Sequence, residues 1–399
     1  MYSVIILIKI VFLVSVSANK ELRARRKIAN ASFENSFAVL KSYLEKNEVN
    51  PTHDALNVLA GTACMIRRLD EQDGKKIFKS FRYNTSFNDI NEVEDTFNNT
   101  DLTKLYEQKN ILLLSNKLNA SDKFCEYLRN YKYADFRENV DFDKESKMNE
   151  TELKEYIKKE TKHTVDKGFS KFMKFNSSDQ LVYLSSSRLN ETFKIKFDRN
   201  NTKNGTFYNN GVEKRKIKFM NHKAEYKHYE DEQLCAVDIP YVSGNHLLVI
   251  VPKKKTGYKE CIESMTLEKV MHILNNLKVK LVALKLPHFQ TISAKNLNTF
   301  ESENLYAQLL SSNASLTDVA EDQKVQMSQI HTMTSFKVDE EGTKVAIAVK
   351  RVHLKQKEVI ALGNLEEVKC SANRPFIYYV LSMRANIVIF TGYVNNLKS

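Results

Sequence analysis

Three features of the chain predict an α+β fold. Apolar residues in the first third recur at helical spacing. From Gln180 onward the chain breaks into short β-type runs with turn residues between them. Neither a Pro/Ser/Gly linker nor a repeat period separates the two regions. One large domain follows, in a chain of 399 residues whose hydrophobic content of 42% allows a sizeable core.

The elements follow in order. The opening MYSVIILIKIVFLVSVSA carries an apolar run from Val4 to Val16 and small residues before Asn19. It reads as a secretory signal peptide over residues 1–18, cleaved after Ala18, leaving 19–399 as the folded domain. The run is short for a membrane span, so no stable membrane insertion is expected. Lys9 inside it, with no basic residue ahead, leaves a signal anchor as the alternative. Arg23-Ala24-Arg25-Arg26 is either a dibasic processing site or the charged flank of the first helix. Ala31–Asn47 forms that helix, with Phe33, Phe37, Leu40 and Leu44 on one stripe. Asn50-Pro51 breaks the chain before a second, more buried helix, DALNVLAGTACMIRRL. Helix or loop continues to about Lys109. Ile111–Leu118 is a strand and Leu153–Phe172 a helix. The later strands are LVYLSSSRL, IKFMN, EQLCAVDIPYV, HLLVIVP and LVALKLPHF, the last ending near Pro287, with a helix over Thr266–Leu277 between them. Two aromatic strands flank Met383–Asn386.

Ten Asn-x-Ser/Thr sequons agree with secretion: Asn30, Asn84, Asn98, Asn119, Asn149, Asn176, Asn190, Asn200, Asn204 and Asn313. Cys64, Cys125, Cys235, Cys261 and Cys370 are odd in number and form no Cys-x-x-Cys pair. They read as neither a disulfide scaffold nor a zinc site, and most as buried thiols. The net charge of +12 admits a polyanion partner. Most lysines alternate with acids, as in KEYIKKETKH, which reads as a solvated helix face. The densest basic clusters are Glu213–Lys218 and Lys253–Lys255. No aromatic ladder accompanies them, so nucleic acid is not expected.

The catalytic inventory is thin. The chain has no Gly-x-Ser-x-Gly elbow, no phosphate-cradling Gly loop and no His-Glu-x-x-His. His222 and His228 would share a strand face but have no evident third ligand. No enzyme activity, cofactor or metal is expected.

The stretch VDEEGTKVAIAVKRVHLKQK, Val338–Lys357, is a strand pattern without a partner. Val345, Ile347 and Val349 alternate with Lys344, Ala346 and Ala348 before a basic end. Val338-Asp339-Glu340-Glu341-Gly342-Thr343, followed by small and branched residues, resembles the hinge of the serpins, the serine-protease inhibitor superfamily. The segments Arg374–Tyr379 and Ile389–Asn395 resemble that family's closing signature. YIKKETKHTVDKGF, DEQLCAVDIPYV, HLLVIVP and LPHFQTIS are similar to family segments in the same order, so the resemblance covers about residues 30–396. It implies a serpin fold: three β-sheets, eight or nine helices and an exposed reactive-centre loop over about 340–367. Four positions depart from the family pattern. Asn50-Pro51 stands for Ser-Pro, His53 for a second Ser, and Phe193 for a Trp. His331 is one place from the family's buried His, whose position falls on Thr332.

The resemblance also implies a mechanism. A serine protease, trypsin-like and including host proteases, attacks the loop; a cysteine protease is a variant target. The cleaved loop then enters the central sheet as a new strand. The hinge would be Glu340, Glu341, Gly342, Thr343, Lys344, Val345, Ala346, Ile347 and Ala348. Counting from Gly342 places the scissile carbonyl on Gln356, with Lys357 after it; one residue either way gives Lys355 or Lys357. Counting back from Pro375 gives Leu362 or Gly363, because 32 residues separate Gly342 from Pro375. The expectation is a monomeric, secreted, glycosylated inhibitor. The alternative is a non-inhibitory serpin acting as carrier, chaperone or binding protein.

Overall fold

A computed structural model describes residues 2–148, 151–161, 173–296, 315–343 and 365–398. Among these lie nine α-helices. Helix α1 (Tyr2–Glu45) runs unbroken through the apolar leader. Phe33, Phe37, Leu40 and Leu44 are buried on it, as the stripe predicts. Asn50-Pro51 leads through β1 (Thr52–Asp54) into α2 (Ala55–Ile66), which is buried along its whole length. Asp54 caps α2, its carboxylate accepting from the Asn57 N–H at 2.9 Å. Helices α3 (Glu71–Ser80) and α4 (Ile90–Asn99) are likewise capped, by Asp70 and Asp89.

The strand expected from Ile111 starts earlier, as β2 (Glu107–Ser115). It is followed by α5 (Asp122–Asn130), β3 (Asp135–Val140), α6 (Phe142–Lys147) and α7 (Glu152–Glu160). The lysine-rich face of α7 corrects one expectation. Lys154 is buried, its ammonium donating to the carbonyls of Glu145 and Met148. A long apolar stem with backbone acceptors at its tip can be covered where a short charge could not. The described part of the predicted Leu153–Phe172 helix ends with α7.

Strands then dominate: β4 (Leu181–Arg188), β5 (Glu191–Thr192), β6 (Lys203–Asn209), β7 (Glu213–Glu230), β8 (Leu234–Pro240) and β9 (His246–Pro252). After α8 (Tyr258–Glu263) and α9 (Leu267–Asn275) come β10 (Lys278–Pro287) and β11 (Phe289–Asn296). The chain closes with β12 (Ser315–Leu316), β13 (Val325–Asp339), β14 (Gly342–Thr343), β15 (Glu367–Ser371), β16 (Phe376–Leu381) and β17 (Val388–Val394).

The central sheet runs β3-β2-β4-β13, with β11 on the far side of β13. Both of its faces are covered. Leu112, Leu114, Leu181, Tyr183, Ile330 and Phe336 face the main core. Ile111, Leu113, Val182, Leu184 and Met333 face a second layer with Phe142, Leu153 and Ile157. Burial on both faces is why ILLL is continuous rather than alternating. The other strands form one hydrogen-bonded set, β1-β17-β16-β9-β8-β7-β10-β15, with β6 on β7. The 18 residues of β7 link its two halves, pairing β6 and β10 early and β8 at the end. The three expected sheets are present, two of them sharing this strand.

The cysteines correct a second expectation. Cys235 on β8 and Cys370 on β15 form a disulfide across 135 residues of chain. Sequence spacing did not announce it, because only the packing of β15 beside β10 carries Cys370 to β8. Cys64, Cys125 and Cys261 are buried thiols, as expected. Burial pushes the Cys64 thiol up to about 12 and those of Cys125 and Cys261 up to about 11.

Candidate functional site

The centre of interest is the seam between β4 and β13. These strands are parallel, in register from Leu181↔Met327 to Arg188↔Ser335. Strand β4 stops at Arg188 while β13 continues to Asp339. Into the space beyond Arg188 comes β14. Thr343 and Gly342 pair with Val338 and Asp339 of β13 on one side, and with Glu191 and Thr192 of β5 on the other. Two residues of the predicted hinge are therefore already a short strand between two neighbours.

Each has a reason to be what it is. Gly342 has φ +149°, and a Cβ there would lie 2.0 Å from the carbonyl oxygen of Glu191. Only glycine fits both the conformation and the space. Thr343 is fully buried, its hydroxyl 2.5 Å from that of Tyr241. Tyr241 stacks on Phe193 at 5.1 Å and 6°, and Phe197 meets Phe193 edge-on at 5.8 Å. The Phe at the family's Trp position thus supplies the aromatic floor under the hinge. Burial drives the Tyr241 phenol well above its usual range.

The acidic pair before Gly342 holds the turn. The Glu340 carboxylate accepts from the Thr202 hydroxyl at 2.7 Å and lies 2.8 Å from His288 Nε2. Burial pulls its pKa up, but the Thr202 bond and His288 outweigh burial and leave it below the usual carboxylate range. Glu341 pairs with Arg199 at 3.0 Å. The carbonyls of Glu340 and Glu341 accept from the N–H groups of Phe197 and Phe193, both at 2.9 Å.

Below β14 the seam is polar on its core side. Ser187 and Thr334 face one another across it, their hydroxyls 3.4 Å apart. Asn57 donates to the Ser185 hydroxyl at 2.9 Å and accepts from Asn110 at 2.7 Å. Tyr183 donates to Asn110 at 2.8 Å, and Tyr106 to Asp54 at 2.7 Å. Asp54 is buried, and burial raises its carboxyl to about 7 against hydrogen bonds from Ser187, Asn57 and Tyr106. Reading the residues singly missed Asp54, Asn57 and Tyr106. Asp54 signals itself only as a helix cap; that the cap lies under a sheet is tertiary information.

The remaining departures find places. His53 is buried and contacts the Asn35 side-chain oxygen at 2.9 Å through Nε2. His331 points to the opposite face of β13 from the seam polar group, against Phe175 and 2.9 Å from Gln329. A one-place offset on a strand changes the face. Burial lowers the His331 pKa to about 4.

Of the other predicted site residues, Lys344, Val345, Ala346, Ile347, Ala348, Lys355, Gln356 and Lys357 lie outside the described residues, as do Asn149 and Asn313. Asn84, Asn119, Asn176, Asn190, Asn200 and Asn204 are exposed, and Asn30 and Asn98 are half-buried. Arg25 of the basic flank is engaged in the fold, paired with Glu21 at 2.9 Å and donating to the Asp101 carbonyl at 3.1 Å.

A family model, Serpin (serine protease inhibitor), matches residues 65–397. Among curated relatives, Iripin-3 of Ixodes ricinus is 23% identical over 69% of this chain and 69% of its own length. Serpin B3 of Homo sapiens is 23% identical over 76% of both chains. Among solved structures, human thyroxine-binding globulin complexed with thyroxine superposes with a TM-score of 0.77 at 16% identity, covering 94% of this chain and 100% of that one. Mouse protein-Z dependent protease inhibitor gives 0.76 at 18%, with 94% and 99% covered. Native protease nexin-1 with heparin gives 0.74 at 16%, with 94% and 100% covered. With the family model spanning most of the chain, and a strand-open seam already entered by its hinge glycine and threonine, this chain belongs to the serpin family.

Proposed function

We propose that this serpin is a secreted, suicide-type inhibitor of a trypsin-like serine protease. The observation that carries the reading is β14, one step of an added strand seated between β13 and β5. Extending its register sets Val345 opposite Phe336, Ile347 opposite Thr334 and Val349 opposite Thr332. Opposite residues share a face, and Val338 and Phe336 lie in the main core. An inserted loop would therefore bury its three branched side chains, each contributing roughly 1.5–3 kcal/mol. Insertion after acylation would carry the bound protease along and distort its active site before deacylation.

The bait would be the bond after Gln356, flanked by Lys355 and Lys357, whose charge suits a carboxylate-bearing specificity pocket. Secretion with cleavage after Ala18, glycosylation at exposed sequons and a monomeric state complete the reading. No helix among the described residues is long and apolar enough to cross a membrane. The basic balance of the chain, and a fold neighbour crystallised with heparin, support a polyanion as a second partner. The test is to mix the protein with trypsin-like proteases. A covalent complex that survives SDS is expected, with mass spectrometry placing the cut at Gln356 or an adjacent residue. Cleavage by every protease without a complex overturns the reading.

A carrier function is the second reading. Its motive is the similarity to thyroxine-binding globulin, whose structure holds a small ligand, together with the bulk of Val345 and Ile347 and the inward place of Arg351 on the extended register. In a carrier, cutting the loop leaves the melting temperature unchanged. A large rise excludes it.

A further inference from the structure

The two densest basic clusters in the sequence, Glu213–Lys218 and Lys253–Lys255, lie far apart in the chain. The fold sets them side by side. Strand β7 begins with Lys214, Arg215 and Lys216, all exposed, then buries Ile217 and exposes Lys218. Its partner β6 sets Tyr208 opposite Lys214, Thr206 opposite Lys216 and Asn204 opposite Lys218. Side chains at alternate positions share a face about 6.8 Å apart, so Lys214, Lys216 and Lys218 form a row. The turn joining β6 to β7 packs on the second cluster: a Cβ on Gly211 would come within 2.4 Å of the Lys255 carbonyl oxygen. Lys255 Nζ lies 3.7 Å from the centre of the Tyr208 ring.

A third segment joins them. The Tyr208 N–H donates to the Asn373 carbonyl at 2.9 Å. Arg374 donates to the Lys253 carbonyl and to Asn373. The Tyr208 phenol is held below its usual range, first by the hydrogen bond and charge of Lys255, with Lys214 and Arg374 adding to it.

The charge is uncompensated. Glu213 pairs with Arg215 and Glu230 with Lys253. Among the described residues, Lys214, Lys216, Lys218, Lys254, Lys255 and Arg374 have no carboxylate partner within ion-pair distance. Solvated basic faces elsewhere are paired, as at Lys75–Glu71 and Lys158–Glu155. Asn204 shares the row with Lys218, so an N-glycan would shade that end. The patch is centred on Lys214, Lys216, Lys254, Lys255 and Arg374.

We propose that this patch binds a sulfated polysaccharide. A row of cations along a strand matches a linear chain with repeated anions and needs no groove. Nucleic acid would use free aromatic faces for stacking, but the Tyr208 ring is already covered by Lys255. An anionic bilayer would draw in exposed apolar side chains, and Val212 is the one exposed large hydrophobic at this hairpin. The inference rests on the polyanion part of the proposed function and is independent of protease trapping.

The experiment measures binding of the intact protein to heparin at fixed ionic strength. It compares wild type, the triple variant Lys214→Glu/Lys216→Glu/Lys255→Glu, and a charge-matched control, Lys104→Glu/Lys123→Glu/Lys278→Glu. The patch variant is expected to lose at least about tenfold in affinity and the control less than about threefold. Wild type should bind heparin more tightly than duplex DNA or phosphatidylserine vesicles. If wild type binds heparin but both variants weaken equally, the patch assignment falls and the polyanion reading stands. If wild type binds no heparin, both fall. Equal or tighter binding of DNA or vesicles overturns the sulfated-glycan assignment.

Discussion

The upper and lower halves of the β4–β13 seam are built on opposite principles. At the top, the loop itself fills the gap. Gly342 and Thr343 pair on both edges, and Thr343 sits over Tyr241 with Phe193 stacked against it. Below, the parallel strands close directly on each other, and the core-side residues meeting across the seam are small and polar. Ser187 and Thr334 touch at 3.4 Å, a long and weak contact. Tight aromatic packing therefore fixes where an added strand begins. The lower seam is held by contacts whose loss costs little, which favours opening.

The largest expected effect comes from breaking the top. Gly342→Val sets a side chain against the Glu191 carbonyl in a backbone conformation that a branched residue avoids. Expulsion of β14 should follow, with the yield of SDS-stable protease complex falling at least about tenfold and cleaved, untrapped protein replacing it. Unchanged complex yield would mean that β14 is not the start of insertion.

Asp54 tests the polar half through pH. Its carboxyl titrates near 7 in the fold and near 3.8 as the model value for an unburied group. Between those values the folded state holds a proton that the unfolded state releases. The contribution is full below about 3.8, is lost as pH rises through about 7, and is flat above. His331, lowered from 6.5 to about 4, acts in the opposite sense, losing stability as pH falls below 6.5. Urea midpoints at pH 6.5 and 8 therefore isolate Asp54. Wild type should be less stable at pH 8, and Asp54→Asn should flatten the difference while keeping the α2 cap. An undiminished difference in the variant assigns the effect elsewhere.

A smaller, kinetic effect concerns the strand that would enter. Ile347 would separate Ser187 from Thr334, and Val345 would arrive beside Phe336. Val345→Ala/Ile347→Ala should ease entry, reducing the molar excess of serpin needed to silence one protease by about two- to threefold. A larger excess would show that the branched side chains drive insertion more than they delay it.

The smallest contrast compares single hydroxyls. Tyr241→Phe should cost about 1–2 kcal/mol of stability, because it leaves the Thr343 hydroxyl buried without that partner. Ser187→Ala should cost less than about 0.5 kcal/mol, since its contact is long. Equal losses in chemical denaturation would erase the distinction between the two halves.

Much of this was legible before the coordinates. Helical stripes, β-branched runs and the breaks at Asn50-Pro51 and Pro287 follow from local periodicity and steric punctuation, which act within a few residues. The hinge was legible because Gly342 and Thr343 carry their constraint in their own chemistry: one must lack a side chain, the other must be small. The Asp54 cap was visible as a helix start but not as a buried carboxyl. Lys154 misled because charge patterning says nothing about which helix face meets a neighbour.

The sequence by itself determined the α+β class, the serpin resemblance and the pair of residues that begin the added strand. Only the tertiary structure decided three things. It joined Cys235 to Cys370, buried Asp54 beneath the seam, and brought Lys214, Lys216, Lys254, Lys255 and Arg374 onto one surface. The physical reason is common to all three. Periodicity and propensity are local, whereas a crosslink, a desolvated charge and a charged patch depend on which distant strands lie side by side.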